Sequence, residues 1–523
     1  MKNIGLSGLK LNQKKTFYLA IKYHKKNNLK IALKLYKKIL KVNPHHFISI
    51  FYLGTLYAQI KKLDLAKSLF YQALKIKTNS GEVHYNLGIV LQELGKHQKA
   101  IKSYQKAIRI NPNDAIAYNN LGAVFNELGK NQKAITCFKK SIKIKLINPN
   151  AYNGISVVYQ ILGKYRKSIN YSKKALTLKP NSILAQRLIA NVHIFQLENF
   201  KKAIKESYKA VKIHHKLSNF IDQRVLVSRL KHDVEQAKYL LSNNYKINGI
   251  YKFIKIAKKI LKRKENVIND NNFNKKILLK QEEVKSLLPF YKENYIYKTS
   301  KILKSCINTE NNWREIEHKY FNDSKQILYI DNFLSEEAIK ELREFCLVSK
   351  VWNREQKKSY LGANADRGFI SQIHLQIATD LKKKLPKIFG KHRLQTFWGY
   401  KYESNISKGI TVHADSALVN LNFWITPNKY NNNKNTGGIK VYDILAPKDW
   451  PFAKYNRNTE DIYKFLKDKK ANCVDIPYRY NRAVLFNSAY FHQTQEIDFK
   501  DEYEGRRINI TYLFGNRGFY VPV

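Results

Sequence analysis

The sequence predicts a multidomain chain of two unlike parts: an all-α solenoid of repeated helical hairpins, then an α+β domain whose strands form an antiparallel sandwich or barrel. Three observations carry this expectation. Small residues recur every 34 positions through the N-terminal part. Helical patterning gives way after about residue 310 to short β-rich runs between turns. Within those runs lie two histidines, a carboxylate and an arginine, spaced so that strands could bring them to one place.

Composition sets the outer limits. A length of 523 residues leaves room for about two to four domains. Hydrophobic residues make up 44% and aromatics 13%, enough to build cores and to exclude a wholly disordered chain. Gly (21) and Pro (11) are too scarce for collagen-like or low-complexity classes. Cys137, Cys306, Cys346 and Cys473 lie far apart without a CxxC pair, so neither a disulfide framework nor a zinc knuckle is expected. Residues 1–12 carry no continuous apolar run, and no window holds 18 uninterrupted apolar residues. The expectation is a cytoplasmic protein with no secretory signal and no membrane span.

The repeat comes first in the chain. A small residue stands at Ala20, Gly54, Gly88, Gly122, Ser156 and Ala190. Twelve positions on stand Ala32, Ala66, Ala100, Ala134 and Ser168, and seven further Ile39, Ala73, Ala107, Ser141 and Ala175. In the sixth unit these columns slip by one, to Ala203 and Ala210, which marks an insertion near 197–199. Small residues let two helices approach closely. The Leu-Gly-Lys runs at 94–96, 128–130 and 162–164 supply a left-handed turn between them, and Pro44, Pro112 and Pro180 close units. The columns, for example Tyr118-Asn119-Asn120-Leu121-Gly122…Ala134…Phe138…Ser141, resemble the tetratricopeptide repeat. That resemblance spans 11–215 as six units and implies a groove for a protein or peptide ligand. Tyr85, Asn86, Tyr118, Asn119, Asn120, Tyr152 and Asn153 could line the groove. The alternative for the tyrosines is packing between repeats. His84, His97 and His193 are isolated and read as packing or solvated residues.

From 216 to 310 the period is lost while helical patterning persists, at 220–241 and 250–261, with a loop at 266–274. This stretch reads as a helical connector that caps the solenoid. His232-Asp233-Val234-Glu235 invites a metal reading, but adjacent helical residues point in different directions.

The third part covers 311–523. A short β run at 326–330 precedes Ser335, which caps a helix with Glu336 and Glu337 in its first turn. Another helix is expected at 375–385, then β runs at 396–402, 410–412, 418–425, 438–444, 483–486 and 507–514. Residues two apart on a strand share a face, so His413 and Asp415 could offer a nitrogen and an oxygen to one ion. One His-x-Asp alone is weak. His492 follows 79 residues later at the end of another strand, and Arg507 a further 15 on. Two histidines and one carboxylate leave open positions on a non-haem Fe(II). An arginine fork can pin a carboxylate.

The order His413-x-Asp415…His492…Arg507 resembles the 2-oxoglutarate- and Fe(II)-dependent dioxygenases, whose fold is a double-stranded β-helix of the jelly-roll or cupin kind. The run from Leu328 to Glu337 resembles the opening of prolyl-hydroxylase-like domains, and the whole of 325–517 resembles a bacterial group that pairs such a domain with tetratricopeptide repeats. The resemblance implies iron held by His413, Asp415 and His492, and 2-oxoglutarate held by Arg507 with Tyr402 and Asn509. It also implies O2 as cosubstrate, ascorbate as an optional addition, and hydroxylation as the default outcome. Asn509 stands where the family usually has Ser. Arg506 is the rival of Arg507, since only one of the pair can face the metal. Long insertions at 428–435 and 443–470 serve either as a lid or as peripheral elaboration. Trp398, Trp424 and Trp450 read as core or rim packing.

Charge adds a last question. The formal charge is +55, and residues 321–523 hold 32 basic and 22 acidic residues, so +10 of it lies there and +45 before residue 321. An acidic partner and a merely compositional excess of Lys both remain open, and the preference for Lys over Arg argues against nucleic acid. The expected function is a dioxygenase hydroxylating a protein or peptide brought by the repeats. The alternatives are a dioxygenase of a small molecule or glycan, and a non-catalytic scaffold for protein–protein interaction.

Overall fold

In the computed structural model the described residues are 11–197, 199–217, 224–263, 267–269, 275–292, 296–297, 302–352, 354–355, 360–403, 409–450 and 452–515. The chain divides into two compact units after Leu178.

The first unit is five antiparallel helix pairs: α1 (Leu11–Lys25) with α2 (Leu29–Val42), α3 (Phe47–Gln59) with α4 (Leu63–Ile76), α5 (Gly81–Glu93) with α6 (His97–Ile110), α7 (Ala115–Glu127) with α8 (Asn131–Ile144), and α9 (Pro149–Ile161) with α10 (Tyr165–Leu178). The small-residue column explains the close approach. A Cβ on Gly54 would lie 2.8 Å from the Phe70 ring, on Gly88 2.7 Å from Tyr104, and on Gly122 2.9 Å from Phe138. Each ring is fully buried or nearly so, which contributes about 2–3 kcal/mol per side chain. The fifth pair solves the same contact with hydroxyls: Ser156 Oγ lies 2.8 Å from Ser168 Oγ and 2.7 Å from Ser172 Oγ. The turn between paired helices has positive φ at Gly95, Gly129 and Gly163, and the same column carries Asn27 and Lys61 at φ 58° and 61°.

The second unit opens with a sixth pair, α11 (Ile183–Gln196) and α12 (Phe200–Leu217), joined through Leu197 at φ 53°. It packs on the β region: Tyr208 donates to the Ile370 carbonyl (3.0 Å) and Arg187 pairs with Asp366. The connector differs from the all-helical expectation. It contains β1 (Arg224–Leu226), α13 (Val227–Ser242), α14 (Ile250–Lys262), β2 (Val267–Asn269), β3 (Lys275–Leu278) and α15 (Gln281–Lys292), with β1-β3-β2 an antiparallel sheet. Part of the expected loop is therefore strand β2. The other residues of 266–274, and 220–223 of the expected helix, lie outside the described residues. Strands of three or four residues carry too little alternation to show in a sequence.

The remaining elements are α16 (Trp313–Asn322), β4 (Ile327–Ile330), α17 (Glu336–Val348), β5 (Arg354–Glu355), β6 (Tyr360–Asn364), α18 (Gln372–Lys384), β7 (Leu394–Tyr402), β8 (Val419–Trp424), β9 (Ile439–Leu445), α19 (Phe452–Arg457), α20 (Thr459–Asp468), β10 (Cys473–Ile476), β11 (Ala483–Asn487), β12 (Tyr490–Thr494) and β13 (Ile508–Phe514). Ser335 caps α17 by accepting from the Ala338 N–H (3.3 Å). All strand pairs are antiparallel, in one sheet ordered β4-β11-β8-β13-β7-β6-β5 and another ordered β10-β9-β12. One face of the larger sheet packs Phe397, Ile510, Tyr512 and their neighbours against α17 and α18. The other face shares a core with the smaller sheet, built from Tyr402, Trp424, Val441, Tyr478 and Phe486. Strand alternation puts Trp398, Tyr400, Tyr402, Asn509 and Thr511 on this second face.

Candidate metal centre

His413 and His492 meet through backbone. The two residues form an isolated antiparallel bridge, with His413 N–H donating to the His492 carbonyl (3.0 Å) and the reverse bond at 2.8 Å. The strand expected at 410–412 is this single bridge rather than a ladder. The Asp415 N–H donates to the Ser488 carbonyl (3.0 Å), which ties the carboxylate to the turn between β11 and β12. Residue Ala414, between the two ligands, is clamped by the insertion. Its N–H donates to the Tyr455 carbonyl (3.0 Å) and its carbonyl accepts from Asn456 Nδ2 (2.8 Å).

The side chains converge. Ligand atoms of His413, Asp415 and His492 all lie within 4.8 Å of one another, the one such group among the described residues. His492 Nε2 is 3.6 Å from Asp415 Oδ2, and the two imidazole centroids are 4.3 Å apart. Each imidazole has its tautomer set from outside: Nδ1 of His413 bonds the Thr411 carbonyl (2.8 Å) and Nδ1 of His492 the Tyr490 carbonyl (3.0 Å). A carbonyl only accepts, so both Nδ1 atoms carry the proton and both Nε2 lone pairs are free for a ligand bond. Burial holds His492 well below the usual histidine range, and the His413 charge adds to this. Burial pushes Asp415 up, opposed by the His413 charge and by a bond from Asn420. Two imidazole nitrogens and a carboxylate oxygen fit a divalent transition metal.

A chain of amides extends from the carboxylate. Asn420 Nδ2 donates to Asp415 Oδ2 (2.8 Å), Asn422 Nδ2 to Asn420 Oδ1 (2.6 Å), and Asn422 Oδ1 accepts from Thr511 Oγ1 (2.6 Å) and Asn509 Nδ2 (3.2 Å). All four residues are buried. Asn509 therefore belongs to a network that holds Asp415. Sequence reading missed Asn420 and Asn422. The signal was present as polar residues at alternate positions within the apolar run 419–425.

Arg507 and Arg506 leave the chain in opposite directions. Arg507 is 2% exposed, with its guanidinium 5.0 Å from the Tyr402 ring centroid, 5.6 Å from Trp424 and 5.8 Å from Tyr478. These rings belong to the core shared with the smaller sheet, where His492 packs on Phe486 at 4.9 Å. Its Nε donates to the Gly437 carbonyl (2.5 Å), and Nη1 is buried with no hydrogen-bond partner. Burial lowers its pKa. The Tyr402 hydroxyl is likewise buried without a full hydrogen bond, and its pKa is raised by burial and drawn back by Arg507. Arg506 instead meets Glu235 of α13.

The other residues singled out in the sequence have ordinary surroundings. His232 bonds Asp233 (3.0 Å), Asp233 is held by Arg229 and Tyr291, and Glu235 is taken by Arg506, so these acids do not gather as ligands. His84 bonds the Thr78 carbonyl. Asn86 bonds the Glu82 carbonyl and Asn120 the Tyr85 hydroxyl, whereas the Oδ1 atoms of Asn119 and Asn153 are buried without partners. Trp424 stacks near Tyr478, and Trp450 packs on Phe465 and Phe491. No helix among the described residues is long and apolar enough to cross a membrane.

Comparisons with known proteins bear on the first part of the chain. Family models described as tetratricopeptide repeat match residues 46–113, 79–147 and 149–182. Among curated proteins none matches. Similar solved structures include MamA, 32% identical, covering 31% of this chain and 94% of that one with a TM-score of 0.30. Another is YrrB, titled a TPR protein with an unusual peptide-binding site, 25% identical over 32% of this chain and 88% of that one, TM-score 0.30. A third is PilF of Pseudomonas aeruginosa, 17% identical over 39% and 91%, TM-score 0.35. The N-terminal part of the chain carries tetratricopeptide repeats.

Proposed function

We propose that the C-terminal part is a 2-oxoglutarate- and Fe(II)-dependent dioxygenase on a double-stranded β-helix, acting on a protein or peptide that the repeats recruit. The observation that carries this reading is the convergence of His413, Asp415 and His492, together with a buried arginine whose Nη1 is unpartnered. His413, Asp415 and His492 would hold the Fe(II), and a metal held by only three protein groups would remain open to a cosubstrate. Bound Fe(II) would supply the oxidising chemistry, with 2-oxoglutarate decarboxylated to succinate. The residues' own tasks are simpler. The Thr411 and Tyr490 carbonyls aim the two imidazoles, and Asn420 orients the carboxylate. Arg507, with the Tyr402 hydroxyl beside it, would hold the far carboxylate of 2-oxoglutarate. Trp424, Tyr478 and Phe486 keep water from that end.

The repeats favour a protein or peptide ligand because such solenoids present surfaces made for them. The decisive assay is Fe(II)-dependent conversion of 2-oxoglutarate to succinate by the purified chain, compared with His413→Ala. Metal binding without 2-oxoglutarate binding or turnover sinks the dioxygenase reading and leaves a peptide-binding scaffold.

A further inference from the structure

The segment that leads from Arg506 and Arg507 into β13 is gripped by a helix outside the β domain. Arg506 is 4% exposed, and its Nε and Nη2 both lie 2.7 Å from Glu235 Oε2 on α13. That helix is itself sewn to the β domain. Gln236 Nε2 donates to the carbonyls of Leu347 and Ser349 (3.1 Å each), and the Tyr503 ring packs on His232 (5.7 Å between centroids) and Tyr239 (5.4 Å). Lys401, paired across the ladder with Ile508, adds a second basic side chain to the same face of the sheet, and burial together with the Arg506 charge lowers its pKa well below the usual lysine range. It is 1% exposed, lies 3.6 Å from the Tyr503 ring centroid, and its Nζ has no hydrogen-bond partner.

We propose that Glu235 is a positioning residue for the cosubstrate arginine: acting through Arg506, it fixes the entry into β13 and so sets where Arg507 places its guanidinium. This deepens the dioxygenase reading and rests on it. Arg506 and Arg507 are consecutive at the bend that leads into β13, so a shift of one moves the other. The backbone is held at the same point, with the Arg506 carbonyl accepting from Thr426 Oγ1 (2.9 Å) and the Arg507 carbonyl from the Tyr402 N–H (3.0 Å). Without the Glu235 carboxylate, Arg506 is left as a buried guanidinium with no counter-charge, and it must swing away. The metal ligands sit on other segments and do not share this support.

The test uses the full chain, with Mn(II) as the metal and 2-oxoglutarate titrated by calorimetry. Glu235→Gln is expected to weaken 2-oxoglutarate binding roughly tenfold or more, because small misplacements of an anchoring group are costly. Mn(II) affinity should stay within about twofold, since the ligand set is intact. In turnover, KM for 2-oxoglutarate should rise more than kcat falls. Arg506→Gln should behave the same way and decides the matter if Glu235→Gln does not fold. The double variant Glu235→Leu/Arg506→Met replaces the ion pair with an apolar contact and should recover most of the affinity. Unchanged 2-oxoglutarate affinity in the folded single variants overturns the inference, as does a parallel loss of metal and cosubstrate binding. A wild-type chain that binds Mn(II) but not 2-oxoglutarate removes the cosubstrate reading and this role together, and the wild-type titration alone reveals that case.

Discussion

Replacing Arg507 with Met is the most direct test of the cosubstrate site. Methionine keeps most of the volume among Tyr402, Trp424 and Tyr478 but removes the guanidinium. Arg507 Nε already serves the Gly437 carbonyl and Nη2 approaches the Gly438 carbonyl at 3.4 Å, so Nη1 is the atom left for a ligand. A charge-assisted hydrogen bond contributes about 1.5–3 kcal/mol. The site is enclosed by aromatic rings, so screening is weak and the upper part of that range applies. At about 1.4 kcal/mol per tenfold, 2-oxoglutarate affinity should fall roughly 30- to 100-fold. Calorimetric titration of the Mn(II)-loaded protein reads this directly, and Mn(II) binding without 2-oxoglutarate serves as the control. Arg507→Lys should lose nearly as much, because a lysine cannot reach the Gly437 carbonyl and a carboxylate together. If Arg507→Met binds 2-oxoglutarate within a factor of two of wild type, the buried guanidinium is a structural cation and the cosubstrate argument fails.

Four further outcomes are expected. Asn456→Ala removes the 2.8 Å bond to the Ala414 carbonyl between two ligands, and Mn(II) affinity should drop roughly tenfold while the melting temperature changes little; unchanged affinity would show the insertion to be peripheral. Gly88→Val places a Cβ against the Tyr104 ring and should cost about 1–3 kcal/mol, read as an earlier chemical denaturation midpoint. Lys61→Gly relieves a positive φ in a turn whose later copies are glycine, and should stabilise by a few tenths to about 1 kcal/mol in the same measurement. His374 is fully buried, and burial lowers its pKa from 6.5 to about 3. Between those values the unfolded chain binds a proton that the folded chain does not. Stability should therefore fall as pH drops below 6.5, by about 1.4 kcal/mol per pH unit from this group, levelling off below the folded value. His374→Leu should flatten that slope in denaturant titrations between pH 6.5 and 4, and an unaltered slope refutes the assignment.

What could be read from the sequence followed the strength of its periodicity. The 34-residue period fixes a geometry because Gly54, Gly88 and Gly122 each face an aromatic ring, so the column has one physical cause repeated. The left-handed turn column was legible only where glycine marks it; Asn27, Lys61 and Leu197 adopt the same φ without announcing it, since neighbouring helices hold them there. The short strands β1, β2 and β3 fell below the length at which alternation is visible. The spacing of His413, Asp415 and His492 was readable, but the reason they converge is not local. A two-residue bridge, the Ser488 carbonyl and the Asn456 clamp bring them together across long sequence separations. What separates Arg506 from Arg507 is the partner that Arg506 finds on the other side. Glu235 lies 271 residues upstream, in a segment whose acids had looked only like a poor metal motif. The carboxylate that holds Arg506 thus lies on the connector, so a support next to Arg507 comes from outside the β domain that carries His413, Asp415 and His492.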